Sequence, residues 1–202
     1  WWRLRGARAG GLGRRRSRVA AKRRRAGVRT GWSSDRFARP APAWHHLIVD
    51  RSTPRVREVI DGALEAARTA FGGRLRSAAL FGSQARGDAG PASDVDLVMV
   101  VADPGADDYA LLSDALSRHG LDGAPFVSVV LWSPALLARH PWLLIDVSVD
   151  GIILLDDGTL AREMEDVRLR LRALGSHRVR LPGGSWYWDL KPAGRPGDVI
   201  EI

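Results

Sequence analysis

A Gly82-Ser83 pair, ten intervening residues, then Asp94-Val95-Asp96 opening onto the apolar run Leu97-Val98-Met99-Val100-Val101 constrain this chain more than any other stretch. Ala78 to Phe81 reads as a strand that delivers the chain to Gly82, where the lack of a Cβ lets backbone come close to a ligand. Ser83 then opens a short helical turn, whose free N–H groups and hydroxyl suit a phosphate. Asp94 and Asp96 are two residues apart, so on a strand both side chains leave by the same face. Two carboxylates on one face repel each other unless a cation lies between them. Hard oxygen ligands suit Mg²⁺, which is bound by one or two carboxylates together with substrate phosphates. Either half alone would be explained by a Gly-rich turn or a capped surface strand; both in register call for more.

Gly-Ser-x10-Asp-x-Asp, with Arg86-Gly87 after the Ser, resembles the signature of the DNA polymerase β-like nucleotidyltransferase superfamily, and within it the small prokaryotic minimal nucleotidyltransferases. The chain's ending is similar to theirs as well: Tyr187-Trp188-Asp189-Leu190-Lys191-Pro192, then Pro196-Gly197-Asp198 and Glu201-Ile202. The resemblance spans residues 54–156 for the catalytic fold and, more loosely, the ending. It implies an α/β (α+β) fold, a small mixed sheet with flanking helices. It also implies that Gly82 and Ser83 hold a nucleoside triphosphate, while Asp94 and Asp96 coordinate Mg²⁺ and serve as the catalytic pair. Arg86 would add charge near the phosphates; a salt bridge to Asp88 or Asp94 reads equally well.

The implied reaction moves a nucleoside monophosphate, AMP from ATP, onto a hydroxyl. Many of the small family members act as antitoxins to a HEPN-type toxin and modify one of its tyrosines, so such a partner is the leading expectation. Three alternatives stay open. One is transfer to a small molecule, for which residues 157–202 are short. Another is an inactive fold that blocks a partner by contact. The third is nucleic-acid binding through the amino-terminal arm.

One departure bears on activity. The family supplies a third carboxylate at an alternate position of a later apolar strand. Here that strand is Pro125 to Trp132, and its inward position is Ser128, which can accept a hydrogen bond but cannot act as a base at neutral pH. Asp146 would be a stand-in, against its reading as a partly exposed or capping acid.

Composition sharpens the picture only when the chain is cut. The net charge of +8 divides into +13 over residues 1–43, with 14 of the 31 Lys and Arg and only Asp35 in opposition, and −5 over residues 44–202. The first 43 residues, with Arg14-Arg15-Arg16 and Lys22-Arg23-Arg24-Arg25 amid Gly, Ala and Ser, read as a basic, disordered tail. That tail is either a nucleic-acid arm or translated upstream sequence, since the chain starts Trp1-Trp2. Residues 44–202 read as the nucleotidyltransferase domain, and 202 residues suit one domain with a proper core. Cysteine is absent, which removes thiolate zinc sites and disulfides. With no apolar signal core and no long apolar run, neither secretion nor a membrane is expected, and a cytoplasmic location is.

Periodicity places the scaffold. Ser52-Thr53-Pro54 starts a helix whose stripe runs Val56, Val59, Ile60, Ala63, Leu64, Ala67 and Phe71, ended by Gly72-Gly73. Further helices are expected from about Asp107 to His119, after Ser133-Pro134, and over Thr159 to Leu174. Asp156-Asp157-Gly158 reads as a turn. Arg168, Arg170, Arg172, Arg178 and Arg180 would make a nucleic-acid patch or, more simply, a solvated face. Trp186 and Trp188 share one face of an extended ending, either to stack on a base or to pack the ending onto the body. His45-His46, in a short lead-in segment, lacks companions for a metal site.

Overall fold

The computed structural model describes residue 46 and residues 52–202, except 124, 183–184 and 196. The chain falls into two units, Trp1–Ala41 and Pro42–Ile202, and the described residues all lie in the second. The basic tail and the His45-His46 lead-in, His46 apart, are outside the described residues.

Thr53 caps the first helix, α1 (Pro54–Phe71), by accepting from the Val56 N–H at 3.3 Å, and Pro54 occupies the first turn, where its missing N–H costs nothing. The apolar stripe is buried as its spacing demands, with Ile60, Ala63, Ala66 and Ala67 at 0 % exposure. A single 3-10 turn (Gly72–Arg74) leads into β1 (Leu75–Phe81). The short helix α2 (Gly82–Arg86) follows directly, ended by Gly87 in the left-handed region at φ 81°.

Next come β2 (Val95–Val101), α3 (Asp108–Arg118) and β3 (Val127–Trp132). After these the chain makes α4 (Pro134–Leu137), α5 (Leu143–Asp150), β4 (Ile152–Asp156), α6 (Thr159–Leu174), β5 (His177–Arg180) and β6 (Trp186–Asp189). Ser133 caps α4 through its hydroxyl, which accepts from the Leu136 N–H at 3.0 Å. The Asp156-Asp157-Gly158 turn is also a cap. Asp156 accepts from the N–H groups of Leu160 and Ala161, and Asp157 accepts from that of Thr159 while pairing with Arg76 at 2.6 Å.

Four strands form one sheet in the order β3-β2-β1-β4. β1 is antiparallel to β2 and to β4, whereas β2 and β3 run parallel, so the sheet is mixed. The parallel pair needs a crossover, and α3 supplies it. Each face of the sheet is covered by helices. Ala78, Leu80, Leu97 and Met99 point into one core with α1 and α3; Ala79, Val98 and Val100 point into the other, with α4, α5 and α6. This two-sided burial is why β2 reads as a continuous apolar run rather than an alternating one.

The ending differs from a simple extended segment. β5 and β6 pair antiparallel as a separate hairpin, Arg178 opposite Trp188 and Arg180 opposite Trp186. No helix among the described residues is long and apolar enough to cross a membrane.

Candidate active site

Three neighbouring strands bring the singled-out residues to one end of the sheet. β1 pairs with β2 so that Phe81 faces Asp96, which puts the next residue, Gly82, beside the Asp96 carboxylate. The approach is so close that a Cβ on Gly82 would collide with Asp96 Oδ2. Gly82 also has φ +72°, in the region an L side chain resists, so two independent constraints require glycine here. Ser83 follows within α2, and its carbonyl closes the turn by accepting from the N–H groups of Gly87, at 2.9 Å, and Asp88, at 3.1 Å.

Asp94 lies two residues before Asp96, just outside β2; both residues are half-buried, and Asp96 sits between the fully buried Val95 and Leu97. Asp96 and its even-numbered successors Val98 and Val100 share the face covered by α4, α5 and α6. On the far side, β3 runs parallel with Ser128 directly in register with Asp96. Ser128 is exposed and stands beside Asp96 across the parallel pair. The register places Ser128 beside the Asp pair as the sequence reading has it, but the residue is exposed rather than inward.

Burial pushes the Asp96 carboxyl above its ordinary value. The Ser128 hydroxyl pulls it back, Asp94 pushes it further up, and the positive charge of Arg86 draws it down. Arg86 spends its guanidinium mainly on Asp88, with Nε 3.1 Å from Oδ2, which decides between the two partners the sequence left open. Its charge still reaches Asp96.

Asp146, the possible stand-in acid, is committed elsewhere. It lies on α5 and accepts from Trp188 Nε1 at 2.9 Å and from Arg178 Nη2 at 3.3 Å. Arg178 also pairs with Asp150, and its guanidinium lies over the rings of Trp186 and Trp188, 4.2 and 4.9 Å from their centroids. The two tryptophans therefore clamp an arginine and fasten the hairpin, which corrects the base-stacking alternative. Arg178 likewise leaves the candidate nucleic-acid patch, and Arg168, Arg170 and Arg172 are paired to Glu165 or Asp166. The sequence reading missed this anchor because its members are up to 42 residues apart. Asp146 in an otherwise apolar stretch was the one visible sign of it.

Among the described residues no group of three or more His, Cys, Asp or Glu side chains gathers to hold a metal. Asp94 and Asp96 form a pair, and a pair fits Mg²⁺ when phosphate oxygens and water complete the shell.

Residues 60–122, from the middle of α1 through the Gly-Ser turn and the Asp pair to the end of α3, match the family model described as "Nucleotidyltransferase domain". Over that segment the chain is similar to a nucleotidyltransferase domain. The mixed sheet with flanking helices is the α/β fold that the sequence resemblance implies. Ser128 lies beyond the matched segment. No curated protein matches the chain in sequence. Among solved structures the chain is similar to an MNT antitoxin in complex with a tri-AMPylated HEPN toxin of Shewanella oneidensis, at 18 % identity and a TM-score of 0.39, covering 58 % of this chain and 90 % of that one. A toxin-antitoxin structure with AMP-PNP gives 20 % identity and a TM-score of 0.38, with the same coverage of 58 % and 90 %. A Sulfolobus solfataricus protein assigned to the nucleotidyltransferases gives 18 % and 0.37, covering 56 % of this chain and 87 % of that one.

Proposed function

We propose that this nucleotidyltransferase moves AMP from ATP onto a hydroxyl, with a tyrosine of a HEPN-type partner protein as the acceptor and a cytoplasmic antitoxin role as the setting. The observation that carries the reading is the contact of Gly82 with the Asp96 carboxylate, which joins the phosphate-suited turn to the carboxylate pair at one point.

In this reading Gly82 and Ser83 present backbone N–H groups and a hydroxyl to the triphosphate. Arg86 contributes positive charge from the end of α2, and Asp94 and Asp96 hold Mg²⁺. Bound there, Mg²⁺ would supply charge neutralisation on the phosphates and on the attacking and leaving oxygens. The acceptor oxygen bonds to the α-phosphorus as the bond from that phosphorus to the bridging oxygen breaks. Pyrophosphate leaves, and the acceptor's proton passes to solvent. The protein's contribution is chiefly to align these parts.

Ser128 bears on the acceptor. With a hydroxyl where a base would stand, an acceptor that gives up its proton readily is favoured. A phenol, with a pKa near 10, meets that need far better than an alkyl alcohol. The same residue favours a second reading, in which the domain binds nucleotide and silences its partner by contact alone.

Incubating the full chain with ATP labelled at the α-phosphate, Mg²⁺ and the protein encoded beside it separates the two. Transfer of label to that neighbour, lost in the Asp94→Ala, Asp96→Ala double variant, is the expected result. Inhibition of the neighbour that survives the double variant would sink the catalytic reading and favour the binding module.

A further inference from the structure

Among the described residues, Asp88, Asp146 and Asp156 are each engaged elsewhere. Asp88, at the end of the turn, is paired with Arg86. Asp146, on α5, is held by Arg178 and Trp188. Asp156 caps α6 and accepts from the Ser77 hydroxyl. On β3, the neighbour in register with Asp96 is Ser128, and the residues flanking it are Val127 and Val129. Two carboxylates bring two negative charges, enough to balance one divalent ion. Each further ion would need anionic oxygen, and among the described residues no third acid or histidine joins the pair.

Resting on the nucleotidyltransferase reading, we propose that this is a one-cation site, in which Asp94 and Asp96 hold a single divalent ion against the nucleotide phosphates and Ser128 stands where a carboxylate would admit a second. Ser128 lies in register beside Asp96, one of the two carboxylates that hold the ion, so it is placed as a positioning residue for Asp96. Its register fixes this arrangement. A parallel pairing holds Ser128 and Asp96 side by side on the same face of the sheet, so an Asp at 128 would project its carboxylate to the same side. The exposure of Ser128 leaves room for the longer side chain without repacking a core.

The test counts ions and needs no turnover. Mn²⁺ is titrated into the full chain saturated with a non-hydrolysable ATP analogue, and free Mn²⁺ is followed by electron paramagnetic resonance. One Mn²⁺ per chain is expected for the wild type, and two for Ser128→Asp. Ser128→Ala is expected to keep one ion with affinity weakened by a few fold, because the hydroxyl in register beside Asp96 is removed. Two ions on the wild type would overturn the proposal while leaving the nucleotidyltransferase reading intact. One ion on a folded Ser128→Asp, with unchanged circular dichroism, would also overturn it, since position 128 would then not face the second site. If Ser128→Asp fails to fold, the wild-type count decides by itself. A wild type that binds neither analogue nor Mn²⁺ would take down the functional reading and this proposal together.

Discussion

Gly82 is where backbone geometry and chemistry meet. Its φ of +72° and its contact with Asp96 are separate demands, and only the first could be met by Asn or another residue tolerant of the left-handed region. Gly82→Ala therefore strains the backbone by about 1–2 kcal/mol and displaces the carboxylate as well. We expect a loss of label transfer of about ten-fold or more, the scale set by 1.4 kcal/mol in a barrier. The thermal midpoint is expected to fall only modestly. A variant with full transfer and a wild-type nucleotide affinity, measured by calorimetry, would contradict the close approach of Gly82 to Asp96. At this scale most of the candidate site was legible in the sequence. A Gly-Ser pair and an Asp pair are short-range patterns whose meaning follows from side-chain size and strand alternation. Which acid Arg86 would choose was not legible, because the loop from Gly87 to Ser93 can bring Asp94 back to the turn and only its fold selects Asp88.

Helices and strands were legible where a single apolar face repeats. α1, α3 and α6 begin and end within a residue of the bounds that caps and periodicity predict. The β5–β6 hairpin was not legible, since four-residue strands of mixed character carry little periodic signal. What holds the hairpin down is Arg178, ion-paired to Asp146 and Asp150 on α5 and lying over the rings of Trp188, its cross-strand partner, and Trp186. Removing it leaves two half-buried acids without their cation and Trp188 without its stacking partner. Arg178→Ala is expected to cost about 1–3 kcal/mol in urea unfolding. It should also open residues 175–190 to limited proteolysis before the rest of the domain is cut. Arg178→Lys should recover only part of the loss, because an ammonium keeps the charge but not the planar fork. Equal protease resistance in Arg178→Ala and wild type would show that the hairpin is held by Trp188 packing alone.

For the molecule as a whole, two cores on opposite faces of one sheet set the stability, and a polar lock beside the first of them tunes its pH dependence. Asp108, 3 % exposed at the start of α3, receives Arg74 in a two-point contact at 2.7 and 2.9 Å and also accepts from the Gly105 N–H. The Arg74 guanidinium, with help from that N–H, holds its carboxyl below the ordinary value. A carboxyl lowered on folding stabilises fully above its unfolded pKa, about 3.9, and loses that contribution as pH falls through the lower folded value. Asp108→Asn should thus cost about 1–2 kcal/mol at pH 7, and the gap to wild type should shrink as unfolding is measured at successively more acid pH below 4. A gap that stays constant into that range would show that the cost is packing rather than charge. The sequence by itself determined the nucleotidyltransferase pattern, the main helices and strands and the division of charge between residues 1–43 and the rest, because each is written in spacing, side-chain size or count over a short span. Only the tertiary structure decided that Ser128 stands beside Asp96, that Asp146 is bound to Arg178 and Trp188, and that two tryptophans grip an arginine. Those are pairings between residues tens of positions apart, and they are fixed by strand register and helix packing, which no local run of residues encodes.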